Sequence, residues 1–345
     1  MLAERTLQLV NVHSESGREA ELAALVAELV PLERRYARGE TLLYSTGRSG
    51  KPVLLLAGHL DTVPAQGNLP GRIADGAVHG LGASDMKGGV AVMVELARWI
   101  AHERPALSVD VDFLFFPLEE VDVSLSPLPE LFGTGLVDDA SLVVVLEPTD
   151  NQIHAGCLGN LNARLVFRGE SAHSARPWTG VNAIGLAVDG LAGIAAQQPR
   201  DVLADGLLFR EVLSVTELHA GVATNVIPGE AVATLNFRYA PGRSREEAEA
   251  RLRELAGGAG ELEVLSNAPA GAVTLDQPLL ARLIEAGGLE VQPKQAWTPV
   301  AQFSERGLVA VNFGPGAPAF AHKRDERVQI DALDRNFEAL RRLVM

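Results

Sequence analysis

The chain has 345 residues, of which 47% are hydrophobic and 21% charged, and its formal net charge is −14. This length exceeds that of most single cores and predicts two domains. Because an acidic surface repels phosphate groups, nucleic acid and anionic membranes are excluded as expected partners. The only cysteine, Cys157, excludes an intrachain disulfide and a cluster of thiolate zinc ligands. A charged N-terminal segment and the lack of a long apolar run predict a cytoplasmic protein.

Helices and buried strands alternate in the first part of the chain. The elements predicted there are helices at Arg18–Leu29 and Gly88–His102 and apolar strands at Pro52–Ala57, Val109–Phe116 and Leu142–Leu146. The alternation indicates the α/β class, with a sheet covered on both faces by helices. Active-site residues of such sheets gather at the carboxyl ends of the strands. We therefore expect the functional residues to follow these three strands.

The sequence pattern changes near residue 160, where apolar and polar residues begin to alternate. The elements predicted from this point are strands at Asn162–Arg168, Ala231–Tyr239 and Val309–Phe313 and helices at Asn182–Ala196, Arg243–Leu255 and Ile330–Leu343. The pattern predicts a catalytic domain of residues 1–159 and 271–345. An α+β domain of residues 160–270 is predicted to be inserted into it.

Histidine and carboxylate residues follow the three predicted strands. His59 and Asp61, in GHLDTVP, come after the first strand. A neutral imidazole is a good zinc ligand, and a nearby carboxylate can accept its other N–H. Glu119 and Glu120 follow the second strand and Glu147 follows the third, where a cation would offset the cost of placing negative charge at a buried strand end. Each motif alone has an ordinary structural explanation, so the prediction depends on their joint occurrence.

Asp85 lies in the glycine-rich segment GLGASDMKGG (Gly80–Gly89). The dinucleotide-binding fingerprint needs glycine at the position of Asp85, and no phosphate-loop pattern fits. A carboxylate has two oxygens and can bridge two metal ions ~3.5–4 Å apart. An N-cap of the following helix is the alternative explanation for Asp85 by itself. His322, in AHKRDE, is the last candidate ligand along the chain.

In this order, the segments resemble the co-catalytic zinc aminoacylase and carboxypeptidase family of metallohydrolases. The resemblance extends over essentially the whole chain and rests on GHLDTVP, GASDMKGG, LEE, LEPT, SAHSARP, TNVIPGEA, LNFRY and FGPG…AHKRDE. It implies a cofactor of two zinc ions, for which cobalt can substitute. It also implies that the inserted domain acts as a lid and as the dimerisation surface of a homodimer.

The resemblance assigns roles to ten residues of this chain. Five are implied as metal ligands: His59 and Glu147 for one zinc ion, Glu120 and His322 for the other, and Asp85 as the bridge. Five more are implied in catalysis and substrate binding: Glu119 as general base, Asp61 as partner of the His59 ring, His173 as donor to the oxyanion, and Asn225 and Arg238 as ligands of a substrate carboxylate. A turn residue and an arginine on a surface strand are the alternative explanations for the last two.

The reaction that the resemblance implies is hydrolysis of the amide bond of an N-acylated amino acid. The expected substrate is N-succinyl-diaminopimelate, in lysine and diaminopimelate biosynthesis. Deacylation of acetylornithine or of acyl-lysine, dipeptidase activity, and a non-catalytic ligand-binding homologue are the alternatives. Two departures from the family pattern leave the acyl group and the amino acid open: the segment Val121–Phe132 is unusually apolar, and Pro299 and Gln302 replace an aspartate and an arginine.

Overall fold

The computed structural model describes every residue from Met1 to Met345 and divides into two compact units. The first unit contains residues 1–156, 274–292 and 302–345, and the second unit contains residues 157–273 and 293–301. The short segment Pro293–Ala301 joins the second unit through main-chain contacts, since the N–H of Leu158 donates to the carbonyl of Ala296 at 3.1 Å. None of the helices combines the length and the apolar character that crossing a bilayer requires.

The chain contains nine α-helices and eighteen β-strands. The helices are α1 (Leu2–Val10), α2 (Ala20–Leu29), α3 (Gly88–Glu103), α4 (Leu128–Phe132), α5 (Ala183–Ala195), α6 (Arg245–Ala256), α7 (Pro278–Gly287), α8 (Val300–Glu305) and α9 (Ile330–Val344). The strands are β1 (Glu33–Arg38), β2 (Thr41–Ser45), β3 (Val53–His59), β4 (Arg72–Ala74), β5 (Ala77–His79), β6 (Asp110–Phe116), β7 (Ala140–Pro148), β8 (Ile153–Ala155), β9 (Gly159–Arg168), β10 (Ala172–His173), β11 (Arg200–Ala204), β12 (Leu207–Ala220), β13 (Val226–Ile227), β14 (Glu230–Tyr239), β15 (Glu261–Ala268), β16 (Val291–Pro293), β17 (Ala310–Gly314) and β18 (Arg327–Gln329).

An eight-stranded mixed sheet forms the centre of the first unit, in the order β1-β2-β6-β3-β7-β17-β8-β16. Strand β3 runs parallel to β6 and β7, and β17 runs parallel to β7, whereas β1, β2 and β8 pair in antiparallel fashion. Every residue of β3, β6 and β17 is buried, as expected for apolar strands that are covered on both faces. This sheet confirms the predicted α/β class.

Helix α3 packs against the parallel strands and connects β5 to β6 in the chain. Its close approach requires glycine at its start, because a Cβ atom on Gly89 would lie 2.5 Å from the carbonyl oxygen of Leu146 in β7. The segment Ala83–Lys87, which contains Asp85, immediately precedes this helix. The contact between Gly89 and β7 therefore holds the Asp85 segment at the carboxyl end of that strand.

A five-stranded antiparallel sheet, in the order β11-β12-β14-β9-β15, forms the second unit. Buried and less buried residues alternate along β14, as the sequence pattern predicts. The buried face packs against apolar residues of α5 and α6 in one core that includes Leu165, Leu191, Leu235 and Leu252. Helix α6 begins with a capping box in which Ser244 and Glu247 bind each other's main-chain N–H.

Candidate metal centre

Three of the predicted site segments meet at one edge of the large sheet. Strand β3 ends at His59, which is paired in register with Phe116 at the end of β6. Glu119 is the third residue after the end of β6, and Glu147 is the next-to-last residue of β7, which lies on the other side of β3. Because these strands are parallel, their carboxyl ends lie side by side, as the sequence analysis expected.

Asp85 faces two histidines with its two carboxylate oxygens. Its Oδ1 lies 3.2 Å from Nε2 of His59, and its Oδ2 lies 3.5 Å from Nε2 of His322. Nε2 of His59 is also 3.6 Å from Oε1 of Glu147, and Nε2 of His322 is 3.0 Å from Oε1 of Glu120. Asp85 is therefore shared by two sets of three residues that could each hold a metal ion. These five residues are called the ligand cluster below, and all belong to the first unit.

Asp85 does not serve as the N-cap of α3. The residue at that position is Lys87, and no side chain caps the helix. The backbone of Asp85 is extended, with φ −124° and ψ 96°, and the next residue, Met86, also departs from helical angles. This conformation leaves the carboxylate directed at the two histidines instead of at the helix end.

The ligand cluster and the neighbouring Glu119 bring several carboxylates together, and divalent cations would offset their repulsion. Burial raises the pKa of Glu119 well above its ordinary value, and the nearby carboxylates of Glu147 and Glu120 raise it further. Hydrogen bonding to Asp85 and to Glu120 raises the pKa of His322 to about 11. In the absence of a metal ion, these groups must share protons in order to lie so close together. Imidazole nitrogens and carboxylate oxygens are the ligands that zinc accepts, so the donor set fits this metal.

Asp61 contacts both the buried histidine and the glutamate pair. Nδ1 of His59 lies 3.0 Å from the main-chain oxygen of Asp61 and 3.5 Å from its carboxylate Oδ1. The carboxylate accepts the main-chain N–H groups of Glu119 at 3.0 Å and Glu120 at 2.9 Å. Although burial alone would raise the pKa of Asp61, its hydrogen bond with His59 holds it at about 2. Asp61 therefore stays ionised and orients three groups of the site.

Two further buried glutamates hold the main chain of the site, and the sequence analysis did not identify them. The carboxylate of Glu326 accepts the N–H groups of Gly82, Ser84 and Asp85. Oε1 of Glu19 accepts the N–H of Leu118 at 3.3 Å. The only signal for Glu326 is its place in AHKRDE, four residues after His322, and nothing in the sequence distinguishes Glu19 from other N-terminal glutamates.

The remaining predicted site residues belong to the second unit. His173 is exposed and lies on β10, where it pairs with Val226 of β13. Asn225 precedes Val226, and its carbonyl accepts the N–H of Ser174 at 3.0 Å. Nδ1 of His173 accepts the N–H of Ala175 at 3.0 Å, so a neutral ring carries its proton on Nε2. Arg238 lies on β14, where its Nε donates to Oδ1 of Asn236 at 3.0 Å.

Gln302 contacts the segment Val121–Phe132 within the first unit, whereas Pro299 belongs to the second unit. The segment Val121–Phe132 contains a single turn of 3₁₀-helix and the short helix α4. Nε2 of Gln302 donates to Oγ of Ser126 at 3.1 Å, and the ring of Phe132 packs edge-on against Phe303 at 5.4 Å. Gln302 therefore fixes the segment that follows Glu120.

Similarity to known proteins extends over nearly the whole chain. The model of peptidase family M20/M25/M40 matches residues 55–345. A protein of Mycobacterium tuberculosis (strain ATCC 25618 / H37Rv), provisionally named succinyl-diaminopimelate desuccinylase DapE, is 39% identical over 98% of this chain and 96% of its own length. The succinyl-diaminopimelate desuccinylase of Corynebacterium glutamicum is 36% identical over 95% of this chain and 92% of its own length.

A solved structure with the same fold is the M20 family metallo-carboxypeptidase Sso-CP2 of Sulfolobus solfataricus. It has a TM-score of 0.81 and 18% identity and covers 99% of this chain and 98% of its own. The family match and the two desuccinylase relatives confirm the family expected from the motifs, which hydrolyses amide bonds and depends on metal ions. The chain belongs to the peptidase family M20/M25/M40.

Proposed function

We propose that this protein removes the succinyl group from N-succinyl-diaminopimelate by hydrolysing its amide bond at a site with two zinc ions. The observation that carries the proposal is the position of Asp85, whose two oxygens face His59 and His322. The names of the two relatives support this substrate, because each is similar to the chain over nearly its whole length.

The ligand cluster would hold the metal ions in two adjoining sites. His59 and Glu147 would bind one zinc ion, Glu120 and His322 the other, and Asp85 both. When bound, two zinc ions polarise the amide carbonyl and lower the pKa of a water molecule so that hydroxide is available near neutral pH. We expect cobalt to substitute for zinc, because imidazole and carboxylate ligands bind both metals.

Glu119 is the residue proposed to transfer the proton. It lies within ligand distance of His59 and Glu120 but outside the two triads that share Asp85. One of its carboxylate oxygens takes a proton from water, and the hydroxide so formed adds to the carbonyl carbon of the amide. Glu119 then delivers the proton to the amide nitrogen, so that the C–N bond breaks, the acyl group leaves as a carboxylate and the amine departs. Asp61 fixes the main chain of this residue during both transfers.

Residues of the second unit are proposed to bind the substrate. The Nε2–H of His173 would donate to the oxygen of the amide carbonyl as negative charge develops on it. Arg238 has its Nε bound to Asn236, and its two terminal NH₂ groups suit a bidentate contact with a substrate carboxylate. The side-chain amide of Asn225, which is exposed, would donate a further hydrogen bond.

The contact of Gln302 with Ser126 favours a second candidate, a deacylase for acetylornithine or an acylated lysine. Gln302 stands where the family pattern has an arginine, and a neutral amide binds a succinyl carboxylate less strongly than a guanidinium does. The apolar residues Val121 and Leu125, both exposed, follow Glu120 in the same segment. A smaller or less charged acyl group would suit these residues.

A hydrolysis screen distinguishes the candidates. The zinc-loaded protein is assayed with N-succinyl-diaminopimelate, acetylornithine, acetylated and succinylated lysine and a set of dipeptides, and kcat/KM is measured for each. The proposal expects the highest value for N-succinyl-diaminopimelate. A higher value for an acetylated substrate establishes the second candidate. Binding of the same compounds without any turnover, in protein that holds two metal ions, would identify a non-catalytic homologue.

Substitution of the shared ligand tests the metal site independently of the substrate. Asp85→Ala should abolish activity and reduce metal occupancy, because both sites lose a ligand. Asp139→Ala is the matched control, since Asp139 belongs to the same unit and binds only the exposed side chain of Arg48. Full activity and two bound metal ions in the Asp85 variant would refute the assignment.

We also propose that the protein acts in the cytoplasm as a homodimer formed through the second unit. Helix α5 supports this proposal, because Ile184, Leu186 and Val188 are exposed along it, and Trp178 just before it is 78% exposed. Such apolar exposure on one element is typical of an interaction surface. Sedimentation equilibrium of the wild type and of Val188→Glu tests this proposal. The wild type should form a dimer, and the added charge of Val188→Glu should weaken its association.

A further inference from the structure

Glu326 is a buried residue outside the ligand cluster that holds the main chain of the shared ligand. Its side chain is only 2% exposed. Oε1 accepts the N–H groups of Ser84 and of Asp85, each at 3.0 Å, and Oε2 accepts the N–H of Gly82 at 2.9 Å. A buried carboxylate that accepts three main-chain N–H groups forms strong, charge-assisted hydrogen bonds.

The three N–H groups that Glu326 accepts belong to one short stretch of the glycine-rich segment, at Gly82, Ser84 and Asp85. The segment Ala83–Lys87 is interrupted by non-helical φ and ψ angles at Asp85 and Met86, while the N–H of Lys87 donates to the carbonyl of Gly82 at 2.7 Å. Buried main-chain N–H groups need an acceptor. Glu326 supplies an acceptor for the N–H of Asp85 and for two N–H groups just before it, so its carboxylate helps to fix the position of the Asp85 backbone.

Glu326 also connects the Asp85 segment to the segment of His322. Its main-chain oxygen accepts the N–H of Gly80 at 3.0 Å, and its own N–H donates to the carbonyl of Lys323 at 3.1 Å. The first bond fastens Glu326 to the glycine-rich turn, and the second closes a turn directly after His322. Glu326 thus connects the segment that carries Asp85 with the segment that carries His322. In these two segments, Oδ2 of Asp85 faces Nε2 of His322.

We propose that Glu326 is a positioning residue. It holds Asp85 between the two metal sites and keeps Oδ2 of Asp85 directed at Nε2 of His322. This inference rests on the proposed dinuclear centre and goes beyond it by assigning the residue that determines its geometry. Glu326 belongs to none of the groups of side chains that could hold a metal ion. It acts only through the backbone of Gly82, Ser84 and Asp85.

The substitution Glu326→Gln tests the inference with little change of shape. Glutamine keeps one acceptor oxygen but presents an NH₂ group where the second carboxylate oxygen stood, so at least one main-chain N–H faces another donor. Glu326→Asp keeps the charge and both acceptors on a shorter side chain. Glu95→Gln is the matched control, because Glu95 lies in α3, is 3% exposed and binds Arg5 instead of the site.

The measurement is metal binding to the metal-free full chain. Cobalt(II) is titrated by calorimetry and followed by its visible absorption spectrum, which reports ligand geometry without any turnover. The wild type and Glu95→Gln should bind two ions with the same spectrum. Glu326→Gln should bind cobalt ~10–100-fold more weakly, as expected when a group that orients ligands is lost, and its spectrum should change. The cobalt affinity of Glu326→Asp should lie between those of the wild type and Glu326→Gln.

The outcomes separate this inference from the proposed function. If Glu326→Gln binds two cobalt ions with the affinity and spectrum of the wild type, Glu326 has no positioning role. If Glu326→Gln does not fold, Glu326→Asp decides in the same way, and wild-type affinity and spectrum in that variant overturn the inference. Binding of fewer than two ions by the wild type itself contradicts the dinuclear centre, whatever the variants do.

Discussion

Oδ1 of Asp61 accepts the main-chain N–H of Glu119 at 3.0 Å. The same Oδ1 lies 3.5 Å from Nδ1 of His59. One side chain therefore contacts both Glu119, the proposed general base, and His59, a proposed metal ligand. The sequence analysis assigned Asp61 only to the histidine. The structure shows that the aspartate also fixes the turn after β6, because its Oδ2 accepts the N–H of Glu120.

Asp61→Asn should reduce kcat ~10–100-fold while the protein stays folded, as is typical when a residue that orients metal ligands is changed. The asparagine NH₂ group faces a main-chain N–H, so the turn that carries Glu119 must shift. Steady-state kinetics measure the effect. Asp112→Asn is the control, because Asp112 is equally buried in the same unit but binds Arg48. An unchanged kcat in the Asp61 variant contradicts the orienting role.

Metal affinity should rise with pH between about 6 and 8. Hydrogen bonding to Asp85 and then to Glu120 raises the pKa of His322 to about 11, and burial raises the pKa of Glu120. The metal-free site therefore holds protons that a metal ion must displace, and raising the pH towards the pKa of His322 progressively weakens this competition. Calorimetry in buffers of different ionisation enthalpy should show net proton release on zinc binding. A pH-independent affinity without proton release would show that the cluster is deprotonated before metal binds.

Glu119→Gln should lower kcat by ~10²–10⁴-fold, the range that general acid–base catalysis contributes. Glutamine has nearly the same shape but neither accepts nor returns a proton at this position. Both metal ions should remain bound, because the two triads that share Asp85 do not include Glu119. Activity and metal content are measured on the same preparation. A loss of zinc equal to the loss of activity would mean that Glu119 is a ligand and not the base.

Most of the elements around the ligand cluster were predictable from the sequence. The runs PVLLLA and LVVVL are wholly apolar, and VDVDFLFF is apolar except at Asp110 and Asp112. Strands β3, β6 and β7 are buried on both faces, and burial of that kind leaves a nearly continuous hydrophobic signal. The parallel arrangement then places the residues after these strands at one edge. His59, Glu119 and Glu147 are close together for that reason.

The remaining elements give weaker signals. Strands β1 and β12 were not predicted: β1 is ERRYAR, half exposed and highly charged, and β12 has an irregular burial pattern over 14 residues. Glu326 was missed for a different reason. Its role depends on main-chain N–H groups of a segment more than 200 positions earlier in the chain, and no pattern of residue types reports such a contact. The roles of the ten predicted site residues stay predictions until the variants are measured.

His173→Ala should lower kcat by ~10²–10³-fold without changing metal content, because loss of one oxyanion donor has an effect of this size. The hydrogen bond from the N–H of Ala175 to Nδ1 leaves Nε2 as the donor of the neutral ring. His219→Ala is the control, since His219 is also an exposed histidine of the second unit. Turnover near the wild-type rate in the His173 variant would rule out the oxyanion role.

Asn236→Ala should raise KM for a carboxylate-bearing substrate and leave metal binding unchanged. Oδ1 of Asn236 accepts the Nε–H of Arg238 at 3.0 Å, and its Nδ2 donates to Oδ1 of Asn160 and of Asn162, each at 2.7 Å. These bonds fix the plane of the guanidinium and leave its terminal NH₂ groups for a bidentate contact. Loss of that constraint should cost about 1 kcal/mol, which is about five-fold in KM.

Asn267→Ala is the matched control for this prediction, because Asn267 is another asparagine of the same sheet and donates to Glu249 and to the carbonyl of Arg245. Arg238→Ala should raise KM further than Asn236→Ala, and the double variant should be no worse than Arg238→Ala alone. That result follows if Asn236 acts only through the guanidinium, since removing the arginine removes the group it orients. Additive effects of the two substitutions would instead mean that Asn236 binds the substrate itself.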